Sequence, residues 1–290
     1  MTAAVYNTNR APGAELRARP GYRLSFAGAF ASEWVKLSSL RFTWWCALWQ
    51  LVLGTGGAAL TAWGLVRMAE RTPGGAEGSG ATAEQFAIGA VNQGVVFVGT
   101  VVMLAIGVLA VTSEYVGGSV RSTLAADPRR GQVLGAKALV VAIFAAILGL
   151  VGQAVAMAAV AGVMSAGPLE FQFGAAAWQA AGGGVFYLVV TALIGAGLGF
   201  CLRSAAGGIA VGLGVYFALD MVLTMGNSYA VVAAIQDLLP TGAGALVFDD
   251  PFRAPGQSIL GGFWGGVADL AGWVVLVLGG GYLLFRHRDA

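Results

Sequence analysis

The sequence predicts an all-α integral membrane protein: six transmembrane helices preceded by an amphipathic interfacial helix, with both termini cytoplasmic. Three observations predict it. The first is composition. Of 290 residues, 58% are hydrophobic and 10% are charged, whereas soluble domains are roughly 25% charged. Too little polar surface remains for a water-soluble body. The second is segmentation, because six runs reach the roughly 20 apolar residues that a bilayer-crossing helix needs. The third is charge placement. With the N-terminus inside, thirteen of the 16 Lys and Arg residues fall in inner segments, and three (Arg67, Arg71 and Arg253) fall in outer ones. That is the bias of a cytoplasm-facing set of loops.

Residues 1–22 mix Asn, Thr, Pro, Gly and Arg without periodicity and read as a disordered cytoplasmic tail. The tail carries no apolar stretch of the signal-peptide kind, so the N-terminus is expected to stay in the cytoplasm. Residues 23–290 form one transmembrane domain. Within 24–41, Phe26, Phe30, Trp34, Leu37 and Leu40 recur at helical spacing, with Ser25, Ser32, Lys36 and Ser39 on the other side. This helix is expected to lie in the inner interface with its aromatic rings down and Lys36 up. The alternative is a cytoplasmic extension of the first span.

The spans are placed at about 43–66, 91–112, 136–164, 178–202, 205–225 and 262–285. Trp44 and Trp45 open the first at an interface. The fourth and fifth share a run too long for one crossing at 1.5 Å per residue, and Arg203 marks the turn. Gly195/Gly199, Gly208/Gly212 and Gly262/Gly266 are i, i+4 pairs that allow close helix approach, either within the chain or between subunits. Segment 226–261 is only half polar. Its apolar stretches, Ala230–Leu239 and Ala243–Phe248, are expected to dip back toward the membrane or to cap the outer face.

Chemistry is excluded more readily than it is found. The one histidine, His287, lies on the tail, and no nucleophile, zinc or nucleotide-loop motif is present. Cys46 and Cys201 are isolated in apolar runs and read as small buried hydrophobes. No catalysis, cofactor or metal is expected on this chain, and no nucleic acid partner. Asp220 and Asp269 are ionisable groups near the outer ends of spans five and six. They either line a pathway or reach the outer headgroups and the loop helix.

The densest charge lies in the loop 113–135. Glu114 and Tyr115 follow the second span, Gly117 and Gly118 permit a bend, and Ser119 can cap a short helix through Val120, Leu124 and Ala125. Asp127-Pro128 stops that helix, and Arg129, Arg130 and Lys137 lead into the third span. Such an element either presses on a cytoplasmic partner or holds lipid phosphates.

Three stretches carry a family resemblance. SEWVKLSSLRFTWW (Ser32–Trp45) resembles the approach to the first span in type-2 ABC transporter permeases, the exporter class, especially actinobacterial ones. TSEYVGGSVRSTLAADPRRGQVLGAKAL (Thr112–Leu139) resembles the family's first cytoplasmic loop, and LLPTGAGAL (Leu238–Leu246) its outer loop before the last span. The resemblance implies that 119–128 is a coupling helix docking on a separate cytoplasmic ATP-binding subunit. Glu114, Tyr115, Ser119, Arg121, Leu124, Arg129 and Arg130 would form that docking region, and Phe26, Phe30, Trp34 and Leu37 the interfacial connecting helix. Segment 226–261 would be re-entrant. Two permease copies, or two paired permeases, would work with two ATPase subunits in a bacterial plasma membrane. Spans two and five would line an apolar pathway for a lipophilic or amphipathic solute. The other function open to the sequence is a non-transporting membrane anchor or sensor that recruits a cytoplasmic partner.

Overall fold

The computed structural model describes residues 25–71, 82–116, 130–167, 173–226, 228–248 and 258–288. All regular structure among them is helical. Ser25 starts α1 (Phe26–Ser39) by accepting from the Gly28 amide at 3.1 Å. Extended backbone at Leu40 ends it, and α2 (Arg41–Arg71) begins at once. Two side chains close the elbow: Thr43 donates to the Leu37 carbonyl at 3.0 Å and Trp44 to the Ser38 carbonyl at 2.8 Å.

Helix α3 (Ala83–Val116) opens on a reciprocal cap. The Thr82 amide donates to Gln85 Oε1 at 2.9 Å, and the Gln85 amide to Thr82 Oγ1 at 3.2 Å. Helices α4 (Arg130–Met164) and α5 (Ala175–Leu202) follow. The α5 start is fixed by Glu84, which accepts from the Gly174 amide at 2.7 Å and places a carboxylate at the positive end of the helix.

The turn expected at Arg203 is there. Arg203 caps α5 in the left-handed conformation with φ 53°, and Ser204 caps α6 by accepting from the Gly207 amide at 3.2 Å. Helix α6 (Ala205–Thr224) carries a π-helical turn at Gly214–Leu219. Two short helices, α7 (Ala230–Asp237) and α8 (Pro240–Val247), meet at a 72° bend. Gly261 and Gly262, both at positive φ, then lead into α9 (Phe263–Arg288).

Six helices (α2, α3, α4, α5, α6 and α9) are long and apolar enough to cross a membrane. Several outrun the apolar cores that define the spans in sequence. Helix α3 starts at Ala83 rather than near residue 91, because its cap lies at Thr82. Successive spans run in opposite directions, so the bundle has two ends. One holds α1 and the 203–204 turn; the other holds α7 and α8.

Helices α3 and α5 form the buried centre, and α6 and α9 are the least covered spans. Small residues allow the central pair to close. A methyl at Gly107 would collide with the Ala192 carbonyl, and one at Gly195 would stand 2.5 Å from the Leu104 carbonyl oxygen. Gly199, Gly208 and Gly212 also face α3, and Gly266 faces α8, so these glycines serve packing within the chain. Gly262 instead turns the backbone, at φ 109°.

Candidate functional site

Four charged side chains from three helices form a closed ring at the α1 end. Helix α1 supplies Glu33 and Lys36, the end of α3 supplies Glu114, and the start of α4 supplies Lys137. Lys36 Nζ donates to Glu33 Oε1 at 2.5 Å and to Glu114 Oε1 at 2.8 Å. Lys137 Nζ donates to Glu114 Oε1 at 3.0 Å and to Glu33 Oε2. Its third donor reaches the Ala110 carbonyl at 3.2 Å, so the ammonium is saturated. Charges alternate around the ring and sum to zero.

Glu33 and Lys137 are almost wholly buried, at 5% and 4% exposure. Buried charges are tolerable only when paired and hydrogen-bonded, and this ring meets both conditions. Lys36 lies at the rim. Burial works against its charge, but the hydrogen bonds to Glu114 and Glu33, with their negative charges, outweigh it. Its pKa is raised above the ordinary 10.5.

The ring changes the reading of α1. Spacing predicts Phe and Trp below and Lys36 above. In the structure, Glu33 and Leu37 are the buried positions, and α1 packs on α4. Phe30 stacks on Trp34 at 6.2 Å, Trp34 meets Phe144 of α4 edge-on at 6.3 Å, and Phe26 is exposed. Lys36 turns inward to the ring because two carboxylates lie there.

Of the expected docking residues, Glu114 and Tyr115 end α3, and Arg130 opens α4. Ser119, Arg121, Leu124 and Arg129 lie outside the described residues. Glu114 and Lys137 therefore stand at the two ends of segment 117–129 and are joined to each other across it. Next to Glu114, the Tyr115 ring lies 5.2 Å from the Arg203 guanidinium carbon.

Asp220 and Asp269 are not part of this site. They sit toward the α7–α8 end. Asp220 Oδ1 accepts from Thr241 at 2.9 Å and from Gln236 at 3.3 Å, tying α6 to both short helices. Asp269 holds a buried Oδ2 with no hydrogen bond among the described residues. Cys46 is buried and Cys201 half-buried, and both are free thiols.

Glu33 and Lys137 were not legible as site residues from sequence. The available signal was a carboxylate in the Phe30–Trp34–Leu37 stripe and a lysine inside the apolar approach to α4. Each needs a buried partner.

A second polar belt crosses the centre of the bundle. Gln50 donates to the Val95 carbonyl at 3.0 Å, and Gln153 to Asn92 Oδ1 at 3.0 Å. Asn92 donates to the Phe248 carbonyl at 2.8 Å, and Tyr216 to Thr191 at 3.2 Å. These neutral bonds join α2, α4 and the end of α8 to α3, and α6 separately to α5, as interhelical hydrogen bonds do in membrane bundles.

Exposed tryptophans gather near both ends: Trp44, Trp45 and Trp49 at the α1 end, and Trp63, Trp178 and Trp264 at the other. Trp45 and Trp63 lie about 27 Å apart along α2 at 1.5 Å per residue, close to the roughly 30 Å hydrocarbon thickness. Fold and surface together define a multi-pass helical membrane protein. No family model matches the chain, and no curated protein is significantly similar to it.

Proposed function

We propose that this chain is the membrane permease subunit of an ATP-driven exporter of the type-2 ABC class. In this reading it sits in a bacterial plasma membrane with both termini cytoplasmic. The observation that carries the reading is the ionic ring. It binds the two ends of segment 117–129 to each other and to α1. A partner pressing on that segment would push on the joined ends of α3 and α4, and α1 would follow. The chain has no nucleotide loop of its own, so the energy comes from a separate cytoplasmic ATP-binding subunit docking at 119–128. Its closure would shift the population between two packings of the spans.

The solute is lipophilic or amphipathic. Helix α3 is buried along most of its length; away from its two end turns, where Gln85 and Ser113 are exposed, its exposed positions are Gln93, Phe97 and Val101. Phe97 meets Phe217 of α6 edge-on at 5.3 Å, so spans two and five present one continuous surface. A second permease copy facing that surface would complete the pathway.

The test is affinity purification of the chain from its native membrane in mild detergent. A soluble subunit with a nucleotide loop should come with it and be lost when 119–128 is scrambled. In the reconstituted complex, Glu114→Gln should keep the subunit bound while separating ATP hydrolysis from solute efflux. Recovery of the chain with no ATPase would reject the exporter and leave the anchor or sensor.

A further inference from the structure

We propose that α6 is a rod linking the end of α3 to the α7–α8 cap, so that a displacement at Tyr115 is felt at Thr241, at the opposite end of the bundle. This coupling is internal to the chain and does not depend on an ATPase partner.

The rod is held at three places. At the α1 end, Arg203 lies over the Tyr115 ring at 5.2 Å. Arg203 is the one non-glycine residue at positive φ among the described residues. That conformation is costly for a residue with a Cβ. Here the left-handed residue ends α5, its amide bonded to the Gly199 carbonyl, and the turn sets the guanidinium over the ring at the end of α3. In the middle, Tyr216 is fully buried and its hydroxyl donates to Thr191 of α5 at 3.2 Å. This anchor falls inside the π-helical turn Gly214–Leu219. Such turns carry an extra residue in the helix and recur at functional positions. At the far end, Asp220 accepts from Thr241 and Gln236 of the cap.

Taken whole, α6 is one of the least covered spans, yet between Arg203 and Tyr216 it sits on α3, where Gly208 meets Val108 and Gly212 meets Leu104. Outward of Tyr216, Leu219, Met221, Val222 and Met225 are exposed. A helix seated on α3 along this length and tied to the cap at Asp220 carries a tilt of the α3 end toward the cap. The cap is also fastened to the bundle, by Trp273 donating to the Leu238 carbonyl at 2.8 Å and Asn92 to the Phe248 carbonyl at 2.8 Å. Loss of the α6 tie therefore loosens the cap without detaching it.

Hydrogen exchange of the chain in lipid nanodiscs tests this, with amides 236–243 as the reporter. Tyr115→Leu should raise their exchange about fivefold, the size expected for losing one cation–π contact. Tyr115→Phe keeps the ring and should match wild type. Arg203→Gly removes the guanidinium but tolerates the left-handed turn, so it should act like Tyr115→Leu. Asp220→Ala should raise the same amides, and combining it with Tyr115→Leu should add nothing, because the rod is already released. Independent sites would instead add. Faster exchange confined to residues 199–210, an additive double variant, or a Tyr115→Phe chain as loose as Tyr115→Leu would each overturn the proposal.

Discussion

Lys137 is the residue on which the α1 end most depends. Its three donors are spent on Glu33, Glu114 and the Ala110 carbonyl. Lys137→Ala leaves two buried carboxylates facing one rim ammonium, and losing one partner of a buried pair costs about 3–5 kcal/mol. That should appear as a lower thermal midpoint in detergent. Adding Glu33→Ala restores charge balance, so the double variant should be more stable than Lys137→Ala alone. An additive loss would mean that the ring does not act as a unit. Lys36 sets the pH behaviour. Its pKa rises on folding, so its contribution is complete below the ordinary lysine value of 10.5 and is lost as pH climbs through the higher folded value. The distance between spin labels at Val35 on α1 and Leu139 on α4 should hold through neutral pH and lengthen only in strong alkali. Lengthening near neutrality would contradict the assignment.

Helices are set apart by what their glycines face. Gly107 lies against the Ala192 carbonyl where α3 and α5 cross, whereas Gly64 on α2 has open space around it. Gly107→Ala should force the central helices apart at about 1–3 kcal/mol, the usual size of overpacking. Gly64→Ala should be neutral, or stabilising by about 0.5–1 kcal/mol, because alanine favours the helix. Thermal midpoints of the two variants check this, and equal losses would mean that the crossing is looser than described. The same logic explains the bent α7–α8 pair. Pro240 can open α8, where its missing amide is not needed, and Val247 then seats against Gly183 of α5. Two apolar half-helices gain partners that neither would have in water.

The whole molecule is organised by two aromatic levels. Trp45 and Trp63 stand about 27 Å apart on α2, near the thickness of the hydrocarbon. Chains retaining only one of these tryptophans should be quenched best by lipids brominated near the headgroup. Strongest quenching from the bilayer centre would displace the membrane plane assigned to that end. The charge bias adds a topological prediction. A lysine pair inserted at Gly78 should disturb insertion, because it adds positive charge to a loop assigned outside, and a pair at Gly131 should not. Reporter fusions at residue 290 would read the difference.

Composition and periodicity by themselves determined the class, the number of long apolar helices, the break at Arg203 and the presence of a separate helix before the first span. These follow from local rules: apolar length, helical spacing and a charge interrupting a run. They did not determine which side of α1 is buried. Glu33 and Lys36 look like ordinary polar positions until Glu114 and Lys137 arrive from 78 and 104 residues away to complete the ring. Nor did they show that Asp220 binds the cap, or that Asp269 keeps a buried oxygen with no hydrogen bond among the described residues. Partner choice among charged groups is a long-range property: a side chain's worth is set by what the fold brings beside it in low dielectric, and only the tertiary structure decides that.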